Sequence, residues 1–193
     1  MPILVPLVEG HGEVEAVPIL LRRLLERDQR FDVAIARPFR VKRHRIVKDG
    51  ELERSLTQAF RSRSANAALV LLDADDDCPV ELAGTLGIRA RNAAFEHVAV
   101  VCACREFEAW FLAAKSSLRG RCNIRQEAEC VDDAEQIRDA KGRLTSNMDG
   151  SRRYLEVDDQ PRLAAAFDLD LAETRSRSFR KLCTDVRALI DDL

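Results

Sequence analysis

Ile3 to Val8 is an apolar run too short for a helix, and it stops at Glu9-Gly10-His11-Gly12. The pattern predicts a buried strand that enters a glycine loop. Beyond it, Val14, Val17, Leu20, Leu21, Leu24 and Leu25 recur at helical spacing. Proline deep inside a helix loses a backbone hydrogen bond, so Glu13 to Val17 is expected to form a tight turn, with Pro18 near the first position of the main helix. Phe31 to Val41 predicts a second strand, and Asp49 opens an amphipathic helix carrying Leu52, Leu56, Ala59 and Phe60. Ala67 to Leu72 is continuously apolar and halts at Asp73-Ala74-Asp75-Asp76-Asp77, as a buried parallel strand does. A helix over Val80 to Asn92, a strand over His97 to Cys104 and a helix from near Arg105 follow.

Strands that alternate with helices predict an α/β fold, with a mostly parallel, Rossmann-like sheet and helices on both faces. From Asp132 onward the patterning is only helical: Ala134 to Met148, Leu155 to Phe167 and Ser178 to Leu189, reached through a polar connection from Gly120 to Cys130. The expected organisation is an α/β catalytic domain over 1–118 and a helical extension over 119–193 packed on it.

Composition narrows the classes. Of 193 residues, 46% are hydrophobic and 33% charged, which excludes extended disorder. Bases number 31 against 33 acids, so the net charge is −2 and any contact with nucleic acid must come from local clustering. Runs such as Ala67 to Leu72 and Val98 to Ala103 fall far short of the ~20 residues of a membrane span. With no basic segment or cleavage site ahead of Pro2-Ile3-Leu4-Val5, a cytoplasmic location is expected. Six cysteines do not form a disulfide scaffold in a chain with this much core. Cys102 and Cys104 share one strand face, but no second pair and none of the scattered His11, His44 and His97 completes a zinc set.

Ligand sites in parallel sheets lie beyond the carboxyl ends of the strands, and Glu9, Asp73 and Glu106 all fall at such ends. Carboxylates gathered there suit Mg²⁺ or Mn²⁺, and they repel one another unless a cation is bound. The alternative is a solvated acidic turn in which Asp76 or Asp77 caps the next helix. Gly10-x-Gly12 is too short for a dinucleotide fingerprint and lacks the Lys-Ser/Thr of a phosphate-binding loop, so no ATPase site is expected. A receiver domain would need an acidic pair after the first strand, where this chain offers only Glu9.

Leu7-Val8-Glu9-Gly10 and Leu71-Leu72-Asp73-Ala74-Asp75, each leaving a strand, resemble the TOPRIM domain of topoisomerases, primases and OLD-type nucleases. The likeness is closest to a group of uncharacterised bacterial TOPRIM-like proteins. It extends through Val8-Glu9-Gly10-His11-Gly12-Glu13, Arg105-Glu106-Phe107-Glu108-Ala109-Trp110 and a helical tail like Tyr154 to Leu182, nearly the whole chain. The resemblance implies that Glu9, Glu13, Asp73, Asp75 and Glu108 are catalytic and hold one or two Mg²⁺ or Mn²⁺ ions, with Asp77 and Glu106 as further ligands. It also implies a lysine near the leaving oxygen, for which Lys141 and Lys181 are candidates. A topoisomerase would need a nucleophilic tyrosine, and the only tyrosine, Tyr154, is expected to pack in the tail. Trp110, Phe111 and Leu112 are expected to be core anchors.

Arg37, Arg40, Lys42, Arg43, Arg45 and Lys48 stand together with no acid among them, a phosphate-attracting segment after the second strand. With aromatics at 5%, backbone contact with DNA or RNA is expected rather than base stacking. The expected function is therefore a metal-dependent nuclease. By resemblance it is the effector of a bacterial defence or toxin–antitoxin-like system with a separate ABC-type ATPase, and self-association into a homo-oligomer stays open. The competing class is a non-catalytic interaction subunit built on a degenerate TOPRIM fold.

Overall fold

The computed structural model describes residues 1–129 and 131–193. Strand β1 (Ile3–Val8) leads into helix α1 (His11–Arg27). Two short strands follow, β2 (Ala34–Ile35) and β3 (Phe39–Arg40), then a helical turn α2 (Arg43–Ile46) and helix α3 (Glu51–Arg63). Strand β4 (Ala67–Asp73), helix α4 (Pro79–Asn92) and strand β5 (Val98–Ala103) complete the sheet. All pairs are parallel, in the order β2 and β3 beside β1, then β4, then β5. The α/β expectation is met. The period-2 alternation of β1 and β4 divides the core. Leu4, Val8, Leu69 and Leu71 face one layer, while Val5, Leu7, Val70 and Leu72 face the other, under α3 and α4.

Three local expectations are corrected. Helix α1 starts at His11 and runs through Pro18. Loss of one hydrogen bond there costs ~3 kcal/mol. Burial of Val17, Leu20, Leu21 and Leu24 on one stripe offsets it, at about 1.5–3 kcal/mol for each. The strand expected over Phe31 to Val41 is divided into β2 and β3 around Pro38, which has no N–H to give the ladder. The helix expected from near Arg105 begins only at Ala109, as α5 (Ala109–Ala113), because Arg105 is left-handed (φ 62°) and Phe107 N–H is turned onto Asp73.

The tail is helical but more broken than its periodicity suggests. Ala134 to Met148 yields a turn at Ala134–Gln136 and the short helix α6 (Ala140–Thr145), capped by Asp139. It continues as α7 (Glu156–Ala166), α8 (Leu169–Arg175) and α9 (Arg177–Asp191). Cys130, where the expected connection ends, lies outside the described residues. Helix α7 packs on α1 at Gly12, where a Cβ would stand 2.3 Å from Gln160 Oε1 and 2.5 Å from the Glu156 carbonyl oxygen. Only glycine permits that approach. Helix α9 covers the sheet face that also buries Val101 and Ala103, and the rings of Phe107, Trp110, Phe111, Phe167 and Phe179 interlock the two stretches in one core. Trp110, Phe111 and Leu112 are buried in that core. No helix of the described residues is long and apolar enough to cross a membrane.

Candidate functional site

The carboxyl ends of β1 and β4 bring Glu9 and Asp73 to one edge of the sheet, since these two strands are neighbours with Leu7 beside Val70. Helix α1 opens on Gly10 and returns Glu13 to that edge. Glu13 Oε2 accepts from the N–H of Glu9 at 2.9 Å and of Gly10 at 3.2 Å, satisfying donors that the helix start leaves open. Asp73 Oδ1 accepts from Phe107 N–H at 2.7 Å, which fixes the loop that carries Glu108. Glu108 is 1% exposed, and its Oε1 accepts from Tyr154 Oη at 2.8 Å and Gln160 Nε2 at 3.3 Å.

These carboxyls are held close at a large electrostatic cost. Burial pushes Glu13 up to about 7, against the N–H groups of Gly10 and Glu9, and the charge of Glu9 adds to the rise. Burial likewise pushes Glu108 up to about 7, against the pull of Lys141 and Tyr154. Asp73 is raised well above the usual carboxylate range by burial and then by Glu13 and Glu108. Lys141 answers them. Burial opposes its charge, but Glu108, Glu156 and Asp73 outweigh that and hold the ammonium above its ordinary value, with Nζ 2.8 Å from Glu156 Oε1.

Other expected residues lie elsewhere. Asp75 is left-handed (φ 51°), which turns the chain directly after β4. Its exposed carboxylate, with that of Asp77, pairs with Arg43 outside the cluster. Neither Asp76 nor Asp77 caps α4, whose N-cap is Cys78, and Asp76 instead pairs with Arg105 and Arg138. Glu106 accepts from Lys141 N–H at 3.2 Å at the start of α6. Lys181 sits on α9 beside Asp185 and lines a groove at β5, whereas Lys141 stands in the acid cluster.

Of the basic segment, β3 carries Arg40 to the edge of the acids, with Nη1 3.5 Å from the Glu9 carbonyl oxygen. Arg37, Lys42 and Lys48 are exposed, while Arg43 and Arg45 are engaged by Asp75, Asp77 and Glu51.

Gln160 and the partner role of Tyr154 escape a reading of sequence alone. The available signal is a glutamine on the buried face of α7, among Leu163 and Ala164, where an apolar residue would be expected.

A divalent cation, implied by the resemblance, can be tested against these donors. Glu108 Oε2 is buried without a hydrogen-bond partner, as is Gln160 Oε1. An orphaned carboxylate oxygen beside two further acids is oxygen-donor chemistry of the kind hard cations take. Among the described residues, however, no three His, Cys, Asp or Glu side chains stand arranged to hold a metal. Glu13 Oε2 is folded back onto its own helix start, and Glu108 Oε1 is held by Tyr154 and Gln160.

No curated protein and no solved structure matches the chain. Residues 8–187, from the end of β1 to the last turns of α9, match the family described as Domain of unknown function (DUF4276), and the chain belongs to that family.

Proposed function

We propose that the protein is a Mg²⁺- or Mn²⁺-dependent nuclease of TOPRIM type that hydrolyses phosphodiesters of DNA or RNA in the cytoplasm. The observation that carries the reading is the buried Glu108 carboxylate, with Oε2 unpartnered, beside Asp73 and Glu13. Buried carboxyls gathered this closely relieve their repulsion either by holding protons or by taking up a counter-charge, and Lys141 balances only part of it.

Glu13, Asp73 and Glu108 would hold the ion. A cation held there would neutralise phosphate charge and acidify an attacking water. Glu9, half-exposed at the end of β1, would accept the proton from that water. The Lys141 ammonium, beside Glu108, Glu156 and Asp73, would meet charge that develops on the leaving oxygen. Arg40 and Lys42 hold the flanking phosphates. By resemblance, the partner is a separate ABC-type ATPase of a defence or toxin–antitoxin-like system.

The test is calorimetric titration with Mn²⁺, together with cleavage of single-stranded, duplex and transfer nucleic acids. The wild type should bind Mn²⁺ and cleave, and Asp73→Asn should lose both while keeping nucleic-acid affinity. Binding without cleavage of any substrate would favour the interaction-subunit reading. No Mn²⁺ binding would remove the metal centre.

A further inference from the structure

Glu13 and Asp73 accept hydrogen bonds from backbone N–H groups around the sheet, whereas Glu108 accepts from two side chains of the helical tail. Both of those donors fall on one atom. Tyr154 Oη at 2.8 Å and Gln160 Nε2 at 3.3 Å reach Oε1, and Oε2 is left without a partner. The last torsion of a glutamate side chain is soft and roughly two-fold, so an unrestrained carboxyl exchanges its two oxygens. Two donors on a single oxygen fix that torsion.

The donors are themselves anchored. Tyr154 N–H bonds to Thr145 Oγ1 at 3.1 Å, on the helix that carries Lys141. Buried Asp159 accepts from Leu155 N–H at 2.9 Å and from Arg152 Nη2 at 2.6 Å, which pins the chain on both sides of Tyr154. Gln160 reaches Glu108 across Gly12, its Oε1 lying 2.3 Å from where a Cβ at Gly12 would stand. The glycine at the start of α1 therefore makes room for the amide.

Packing does not account for the glutamine. Gln160 is 3% exposed on the face of α7 that also buries Leu163 and Ala164. Its Oε1 is buried without a partner, a cost that an apolar side chain of the same length would avoid. What the amide does here is donate to a buried carboxylate. Hydrogen-bond partners of this kind orient the ligand groups of metal sites.

We propose that Tyr154 and Gln160 are positioning residues for Glu108: they hold Oε1 and leave Oε2 for a divalent cation, so that the tail completes a site begun by the sheet. The inference rests on the metal-dependent reading above. It adds that cation binding depends on the docking of α7, without which the Glu108 carboxyl is free to turn.

Calorimetric titration of the full chain with Mn²⁺ tests it. Tyr154→Phe removes only the hydroxyl, and Gln160→Met replaces the amide with an unbranched apolar chain of equal length. Each should weaken Mn²⁺ binding by about tenfold. Leu163→Val, on the same face of α7, trims buried packing without touching Glu108; it should lower the melting temperature and leave Mn²⁺ affinity unchanged. Tyr154 is the one tyrosine of the chain, so the tyrosine doublet in ultraviolet resonance Raman spectra reports this hydrogen bond alone. It should shift when Mn²⁺ draws charge from Glu108. Wild-type binding that neither Tyr154→Phe nor Gln160→Met weakens, or that Leu163→Val weakens as much, would overturn the positioning role alone. A doublet unmoved by bound Mn²⁺ would do the same. A wild type that binds no Mn²⁺ would overturn the metal-dependent reading and this inference with it.

Discussion

Replacing Glu108 with glutamine should make the metal-free protein more stable, and only at neutral or higher pH. The carboxyl is 1% exposed and titrates near 7, against an ordinary value of 4.5, chiefly because burial penalises its charge. The folded state therefore holds this proton more tightly than the unfolded chain does. Between pH 4.5 and 7 the folded protein binds more protons, and its stability falls as pH rises, levelling once the carboxyl is ionised in both states. The interval from 4.5 to about 7, at ~1.4 kcal/mol per pH unit, amounts to about 3 kcal/mol lost at pH 8. In the variant, the amide oxygen still accepts from Tyr154, while the amide NH₂ falls where Oε2 has no partner, at a cost of about 1 kcal/mol. The net gain is about 2 kcal/mol, or roughly 4–8 °C in melting temperature for a chain of this size. Calorimetric melts in chelator at pH 4.5 and pH 8 measure the difference between the two proteins, in which the other titrating groups largely cancel. An equal gain at both pH values, or none at pH 8, would refute the account of Glu108 as a carboxylate held at electrostatic cost. Mn²⁺ should raise the wild-type melting temperature and leave that of the variant nearly unmoved.

Gly12→Ala forces a Cβ against the Glu156 carbonyl and Gln160, so it should destabilise by about 1–3 kcal/mol, read in urea melts. Arg40→Glu combined with Lys42→Glu should weaken nucleic-acid binding evenly across sequences and flatten the salt dependence by roughly 0.7–0.9 per lost phosphate contact. Filter binding at several salt concentrations measures both effects. Burial favours the neutral form of Glu135, but hydrogen bonds from Ser178 and Ser176 outweigh it and hold the carboxyl below its ordinary 4.5. Its contribution is thus present above pH 4.5 and disappears as pH falls through the lowered value. Glu135→Ala should cost about 2–4 kcal/mol at pH 7, with the gap to wild type narrowing in acid.

The strands and the acids at their ends were readable because each depends on a local pattern: a short apolar run, then a carboxylate. Glu9 and Asp73 are such cases, whereas Glu13 and Glu108 rest on the resemblance to the TOPRIM domain. Asp75 was misplaced because a single left-handed residue redirects the chain after β4, and a run of five residues rich in aspartate does not reveal which carboxylates turn inward. Pro18 misled for a different reason: the packing of a whole apolar stripe outweighs one missing hydrogen bond. Tyr154 and Gln160 lie 46 and 52 positions from Glu108. Their meeting with it depends on the approach of α7 to α1 at Gly12, and no spacing rule covers contacts so far apart.

The single tryptophan makes this arrangement observable. Trp110 is fully buried two residues past Glu108, with its indole N–H 2.8 Å from Ser178 Oγ on α9 and its ring against Phe107 and Phe179. One intrinsic fluorophore thus spans the loop bearing the buried acid and the last helix of the tail. Its emission should be blue-shifted in the native protein and move to the red as soon as α9 lifts away. Detachment of the tail can then be followed in real time, without a label, in the same cuvette in which a cation or a nucleic acid is added.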